Sequence, residues 1–291
     1  MKEVNVIAPA KLNLSLDVVG VDSKGYHLLD MVMQSVSVFE RLTLVQQDTI
    51  SITSNAKFIP TDEKNTAVKA AMNFFEYTKL KGGVHIHVRK AVPIKAGMAG
   101  GSADAAGVIV GLDHMYGTKL TMEQMCEIGI VTGSDVPFML RGGTKRVKGT
   151  GEIILPAPPM PPCYFVICMP AKGVSTPQAF AAYDTLGEKV KVDTDSLMGA
   201  IKHKKLTDIA KYMANDLEKA AGSPDTQPIK EKLLELGALG SLMTGSGSAV
   251  FGLFDDEKKA EAAVMYFRGQ VKSAFLARPV NFGASVRKDK K

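Results

Sequence analysis

The sequence predicts an α+β protein of two domains, and three observations carry that prediction. Apolar and polar residues alternate in KLNLSLDV (11–18), the period of a half-buried strand. NTAVKAAMNFFEYT (65–78) has helical spacing instead. PAPPMPPC (156–163) packs five prolines into eight residues, which denies the backbone both donors and helix. That stretch reads as a stiff join between residues 1–155 and residues 156–291. At 291 residues, each half is long enough to bury its own core. Strands and helices form an α+β mixture, not a regular βαβ alternation.

The elements follow in order. In 11–18, Leu12, Leu14, Leu16 and Val18 are expected on one face, with Lys11, Asn13, Ser15 and Asp17 on the other. MVMQSVSVFERLTLV (31–45) is a second strand-rich run. The helix at 65–78 takes Asn65 or Thr66 as its cap. After a strand at 84–92, a helix should begin near Ser102 and turn Val108, Ile109, Leu112 and Met115 inward. A further helix opens at Thr121, which stands three residues before Gln124, the spacing of a capping box. Beyond the prolines, 164–169, 241–243 and 249–254 read as strands. Residues near 195–203, 206–220, 227–236 and 256–268 read as helices. The uncharged stretch 236–254 is long enough to span a membrane, but its Gly, Ser and Thr residues make it strand, turn, strand.

Composition narrows the function classes. The net charge of +6 is scattered, and only VRKDKK (286–291) approaches a basic run, without aromatic partners. A nucleic-acid partner is therefore not expected, whereas phosphorylated small molecules suit a mild positive balance. Three cysteines, Cys126, Cys163 and Cys168, form no CxxC pair. They are expected as reduced thiols in the cytoplasm, with Cys126 and Cys168 as core filler. No apolar run follows Met1, so neither a secretory signal nor a membrane partner is expected. His85 and His87 share one strand face but lack a third ligand, which favours a solvated pair over a metal site.

The densest cluster of small residues is VPIKAGMAGGSADAAG (92–107), placed between a strand and a helix start. Free N–H groups at a helix N-terminus bind phosphate, and small residues let an anion approach them. A Walker loop is excluded because Gly101, not lysine, precedes Ser102, and GxGxxG is absent. Taken alone, the loop also reads as a tight turn followed by close helix packing through Ala103, Ala105 and Ala106.

Pro93-xxx-Gly97-xx-Gly100-Gly101-Ser102-Ala103 resembles the second motif of the GHMP kinase family. APAKLNLSLDVVG (8–20), GYH (25–27), GSDVPF (133–138), GVST (173–176) and MTGSGSAVFG (243–252) match the same family in the same order. Met98 stands where leucine is usual, and Ala103 where a second serine is common. The resemblance implies a ribosomal-protein-S5-like N-terminal domain, a ferredoxin-like C-terminal domain and a cleft between them. It implies ATP as co-substrate, with Mg²⁺, held by Pro93, Ile94, Lys95, Ala96, Gly97, Met98, Ala99, Gly100, Gly101, Ser102 and Ala103. It makes Asp135 the proton acceptor and Lys11 its partner, with Asn13 directed to the same site. The acceptor it implies is a polyol linked to cytidine diphosphate. Tyr26 and His27 would supply one wall and a polar contact for the base, Phe180 the opposite wall, and Thr176 a contact nearby. No carboxylate ligand for the metal is identified.

Overall fold

The computed structural model describes residues 2–57, 59–187, 189–221 and 223–287. The first half runs β1 (Glu3–Val21), β2 (His27–Gln47), β3 (Ile50–Ser54), α1 (Thr66–Thr78), β4 (Gly83–Arg89), α2 (Gly100–Tyr116), α3 (Met122–Thr132), α4 (Val136–Arg141), β5 (Thr144–Gly149) and β6 (Ile153–Pro156). The second runs β7 (Tyr164–Met169), α5 (Thr176–Asp184), α6 (Thr194–Lys202), α7 (Leu206–Tyr212), β8 (Ala214–Asn215), α8 (Thr226–Glu235), β9 (Gly240–Met243), β10 (Val250–Phe254), α9 (Glu257–Phe267), β11 (Ser273–Ala277) and β12 (Ser285–Val286). One sheet has the order β12-β1-β2-β4-β3, with β5 added on β2, β6 on β5 and β8 on β1. The other is β11-β7-β10-β9.

The long β1–β2 hairpin serves both halves, and β-bulges make this possible. Val4, Val6 and Ala8 pack into the core beneath α1 and α2. Ala10, Leu12 and Leu14 instead join Phe165, Ile167, Phe251 and Leu253 of the second sheet, and Leu16 returns to the first core. The changes of side coincide with register shifts between Pro9 and Ala10 and between Asn13 and Ser15. One residue of slip moves every following side chain to the opposite face. The single-face alternation expected for 11–18 is thus corrected. Leu12 and Leu16 belong to different cores, and the polar residues Lys11, Asn13 and Ser15 are buried too.

The second sheet is covered on both sides. Phe165 and Ile167 face the hairpin, while Val166, Cys168, Val250 and Phe254 pack on Ile229 and Leu233 of α8 and Ala260, Ala263 and Phe267 of α9. Full burial of such a side chain contributes about 1.5–3 kcal/mol. Burial pushes the free thiols of Cys163 and Cys168 up to about 12.

The local signals hold. Asn65 Oδ1 accepts the Ala67 N–H, and Thr121 and Gln124 close both halves of a capping box. α2 begins two residues before Ser102. The helix expected over 206–220 does not form as one piece. α7 ends at Tyr212, and β8 then pairs in parallel with Ser15 and Leu16 of β1. Asn215 Nδ2 donates to Met243 O and Gly245 O, both at 2.8 Å, and Oδ1 accepts the Leu217 N–H. Those long-range bonds outweigh helix propensity. The chain also returns to its first sheet: Pro279 bridges Val36, and β12 pairs with Val6 and Ile7. Residues 288–291 of the basic tail lie outside the described residues. Among the described residues, no helix is long and apolar enough to cross a membrane.

Candidate active site

A cavity of about 1110 Å³ gathers residues from β1, the β1–β2 turn, the loop before α1, the 93–101 loop, the turn before α4, α5 and the β9–β10 turn. The 93–101 loop gives it its character. Lys95 (φ 59°), Gly97 (φ 72°) and Ala99 (φ 57°) are left-handed, separated by residues that are not. Such alternation is the backbone pattern that turns successive N–H groups toward one side, as in an anion-binding nest. Ala99 caps α2 without any side-chain hydrogen bond, so the helix opens on N–H groups with no side-chain partner.

The eleven loop residues expected at a nucleotide divide by position. Pro93 through Gly101 line the cavity. Ala96 and Met98 send their side chains into the second core, and their carbonyls accept the N–H groups of Ala249 and Lys11. Ser102 is half-buried and does not line the cavity. Ala103 lies in the first core, and its N–H is bonded to Ala99 O at 2.9 Å. Both readings of the small residues therefore apply to different members: the glycines face the cavity, and Ala103, Ala105 and Ala106 pack the helix.

Lys11 is 4% exposed, and its Nζ hydrogen-bonds Asn13 Oδ1. Burial pushes the Lys11 ammonium below its ordinary value, and the Asp135 carboxylate partly restores it. Asp135 is thus an electrostatic neighbour of Lys11, while the Lys11 Nζ hydrogen bond goes to Asn13. Asp135 stands at the start of α4, half-buried, and caps no helix N–H with its side chain. The glycine turn after β9 ties these groups together. Thr244 Oγ1 accepts the Asn13 N–H at 2.9 Å, and Ser246 Oγ meets Thr176 Oγ1 at 2.7 Å.

The aromatic end is close-packed. His27 and Phe180 stack on each other, with centroids 4.6 Å apart and planes 22° apart. A base between two rings needs about 7 Å, twice a van der Waals contact. No ring fits between this pair. His27 Nε2 is committed to Asp184 Oδ1 at 2.7 Å, which leaves Nδ1. Tyr26 is 63% exposed and supplies the remaining open face.

Several lining residues escape sequence reasoning. Ile59, Pro60, Lys64, Asn65 and Thr66 border the loop where Thr66 Oγ1 donates to Gly101 O at 2.8 Å. Lys90 and Asp104 flank the loop on either side; charged residues bracketing a glycine cluster were the available signal. His85 and His87 are occupied by Ser51 and Thr53 on the neighbouring strand. Among the described residues, no three His, Cys, Asp or Glu side chains are grouped to hold a metal ion.

The family described as GHMP kinases N terminal domain matches residues 65–143, and GHMP kinases C terminal matches 197–272. The chain belongs to the GHMP kinase family. A relative from Clostridium novyi named 4-diphosphocytidyl-2-C-methyl-D-erythritol kinase is 36% identical over 276 residues, covering 94% of this chain and 99% of its own. One of the same name from Exiguobacterium sibiricum is 38% identical, covering 94% and 96%. A crystal structure of 4-(cytidine 5'-diphospho)-2C-methyl-D-erythritol kinase superposes with a TM-score of 0.79 at 28% identity, covering 94% of this chain and 98% of that one. Homoserine kinase from Cytophaga hutchinsonii, at 20% identity, 99% and 98% coverage and a TM-score of 0.78, shares the fold. The two-domain α+β architecture expected from the sequence is that of this kinase family.

Proposed function

We propose that the chain transfers the γ-phosphoryl group of ATP to the 2-hydroxyl of 4-diphosphocytidyl-2-C-methyl-D-erythritol, a step toward isoprenoid precursors outside the mevalonate route. One observation carries this reading: an uncapped helix start and its nest of N–H groups share a cavity with Lys11 and Asp135. The names of the relatives supply the acceptor. Residues 1–155 act as the ATP-binding domain, and 156–291 complete the substrate cleft. Its free thiols suit the reducing cytoplasm.

The triphosphate lies on the loop from Pro93 to Gly101, with the nucleoside toward Ile59, Pro60 and Thr66. The transition state of phosphoryl transfer is loose, so positioning and charge compensation do most of the work. The substrate oxygen bonds to the γ-phosphorus as the bond to the β–γ bridging oxygen breaks, and ADP leaves. Asp135 accepts the hydrogen bond of the attacking hydroxyl and takes its proton late. Lys11 offsets charge on the transferring group, oriented by Asn13. Tyr26 and the exposed side of Phe180 receive the cytosine, His27 Nδ1 and Thr176 supplying polar contacts. Mg²⁺ would come as an ion carried by the nucleotide; among the described residues no three His, Cys, Asp or Glu side chains are grouped to hold it. When bound, it neutralises phosphate charge.

Purified protein with ATP and Mg²⁺ should release ADP with the cytidyl substrate and not with homoserine or mevalonate; the reverse pattern would overturn the assignment. Phe180→Ala should raise the KM of the cytidyl substrate by about 5–100-fold, as loss of one stacking face does, with kcat changed far less. Lys11 gives a pH signature. Its ammonium is needed and its folded value is lowered by burial, so activity should fall as pH rises toward the ordinary lysine value of 10.5, with the midpoint below it. Lys11→Arg keeps the charge and should remove that alkaline limb from whatever rate remains.

A further inference from the structure

Three charged side chains that the chemistry above does not use sit behind the phosphate loop. Glu40 on β2 has a fully buried side chain, and those of Lys90 and Asp104 are 9% and 7% exposed. Lys90 Nζ lies 2.6 Å from Glu40 Oε1 and donates to Asp104 Oδ2 at 2.7 Å. Glu40 also accepts the N–H groups of Ala91 at 3.0 Å and Val92 at 3.3 Å, where the loop begins. Where the loop ends, a Cβ on Gly100 would stand 3.2 Å from Glu40 Oε1 and 3.1 Å from Val92 Cβ. Asp104, one turn into α2, completes the link. A single carboxylate–ammonium–carboxylate relay therefore ties the entrance of the loop to its exit.

Between those anchors the chain holds Lys95 and Ala99 in the left-handed region, where only glycine is at ease. Such a backbone keeps its shape only if its ends are fixed. Burying three charges is a poor route to stability, so a positioning role accounts better for their presence. The relay also carries two carboxylates for one ammonium. Asp104 Oδ1 is buried, has no hydrogen-bond partner, and belongs to a residue that lines the cavity. Ionised, that oxygen opposes a polyphosphate; protonated, it becomes a donor.

We propose that Glu40, acting through Lys90 and Asp104, is the positioning residue of the phosphate loop, and that Asp104 takes up a proton when nucleotide binds. The charged groups bearing on Asp104 are Lys90 from the end of β4 and Glu40 from β2, and Lys64 and Lys95 line the same cavity. Burial pushes the Asp104 carboxyl up to about 7 against the pull of Lys90, with Glu40 adding to the rise. The proton is therefore within reach near neutral pH. This inference rests on the loop being the ATP site.

The test is binding of a non-hydrolysable ATP analogue, by calorimetry in two buffers of different ionisation enthalpy, from about pH 6 to about pH 8.5. The wild-type affinity should weaken above about pH 7, approaching tenfold per pH unit. Asp104→Asn should match wild type near pH 6 and lose that dependence, taking up about one proton fewer above neutrality; the comparison cancels protons bound to the nucleotide itself. Glu40→Gln should weaken the analogue about tenfold or more at every pH, with kcat at saturating ATP and the KM of the alcohol within about threefold. Glu40→Asp, which keeps the charge, should recover part of that loss. Parallel pH profiles for wild type and Asp104→Asn would overturn the proton uptake. Unchanged analogue affinity in Glu40→Gln, or equal losses for both substrates, would overturn the positioning role. If wild type binds no nucleotide at any pH, the ATP reading itself falls; if it binds without these differences, only this inference does.

Discussion

Asp135→Asn is expected to lower kcat by about 10²–10⁴-fold, the usual contribution of a positioned general base, with the ATP KM within about threefold. Asparagine has the size of aspartate and can occupy the same place at the start of α4, where Asp135 caps no N–H that its loss would expose. The fold should therefore be unaffected, and the thermal midpoint should show it. What disappears is the acceptor for the proton of the attacking hydroxyl and the charge that raises Lys11 against burial. The sign of that second effect is fixed. Without the carboxylate, Lys11 drops further below its ordinary value, so the alkaline limb of the residual rate should move to lower pH. Steady-state ADP release across pH reads both consequences. A kcat within tenfold of wild type would remove Asp135 as proton acceptor.

The parts of this site that were legible in the sequence are those whose chemistry is local. Asn65 and Thr121 cap helices through partners two and three residues away, so spacing alone revealed them. The loop announced itself because a backbone that must approach an anion has to shed side chains over a short run. The hairpin strands were legible as strands, but not their faces: the bulges in β1 arise from pairing with β2 and leave no mark on the alternation. Glu40, Lys90 and Asp104 are separated by 50 and 14 positions and meet only because β2, β4 and α2 pack together. His27 and Phe180 were expected at one end of the site, while their direct stacking depends on where α5 docks against the β1–β2 turn. The break in the 206–220 segment is of the same kind. Its residues favour a helix, and Asn215 finds its partners some thirty positions away in the turn after β9.

That turn sets the second large effect. Gly97→Ala should weaken ATP by about 100-fold or more and cost roughly 2–4 kcal/mol of stability, the range of a severe core clash. The added Cβ would lie 2.1 Å from Thr244 O and 3.1 Å from Thr244 C, so backbone meets backbone and no rotamer relieves it. The φ of 72° adds about 1–2 kcal/mol for any residue with a Cβ. Lys95 and Ala99 bear a similar φ without such a collision, so conformation alone does not require glycine at 97; the contact does. Separating the two loops would reach further than the phosphates. Thr244 holds the Asn13 N–H, and Gly245 lies against Lys11, where a Cβ would be 3.2 Å from Nζ. One methyl group should therefore disturb the nest and the orientation of Lys11 together, lowering kcat as well as raising the ATP KM. Gly20→Ala is the control, since nothing lies within 4 Å of a Cβ there, and it should leave both unchanged. Wild-type affinity in Gly97→Ala, measured by nucleotide titration beside the thermal midpoint, would mean that the phosphates are gripped elsewhere.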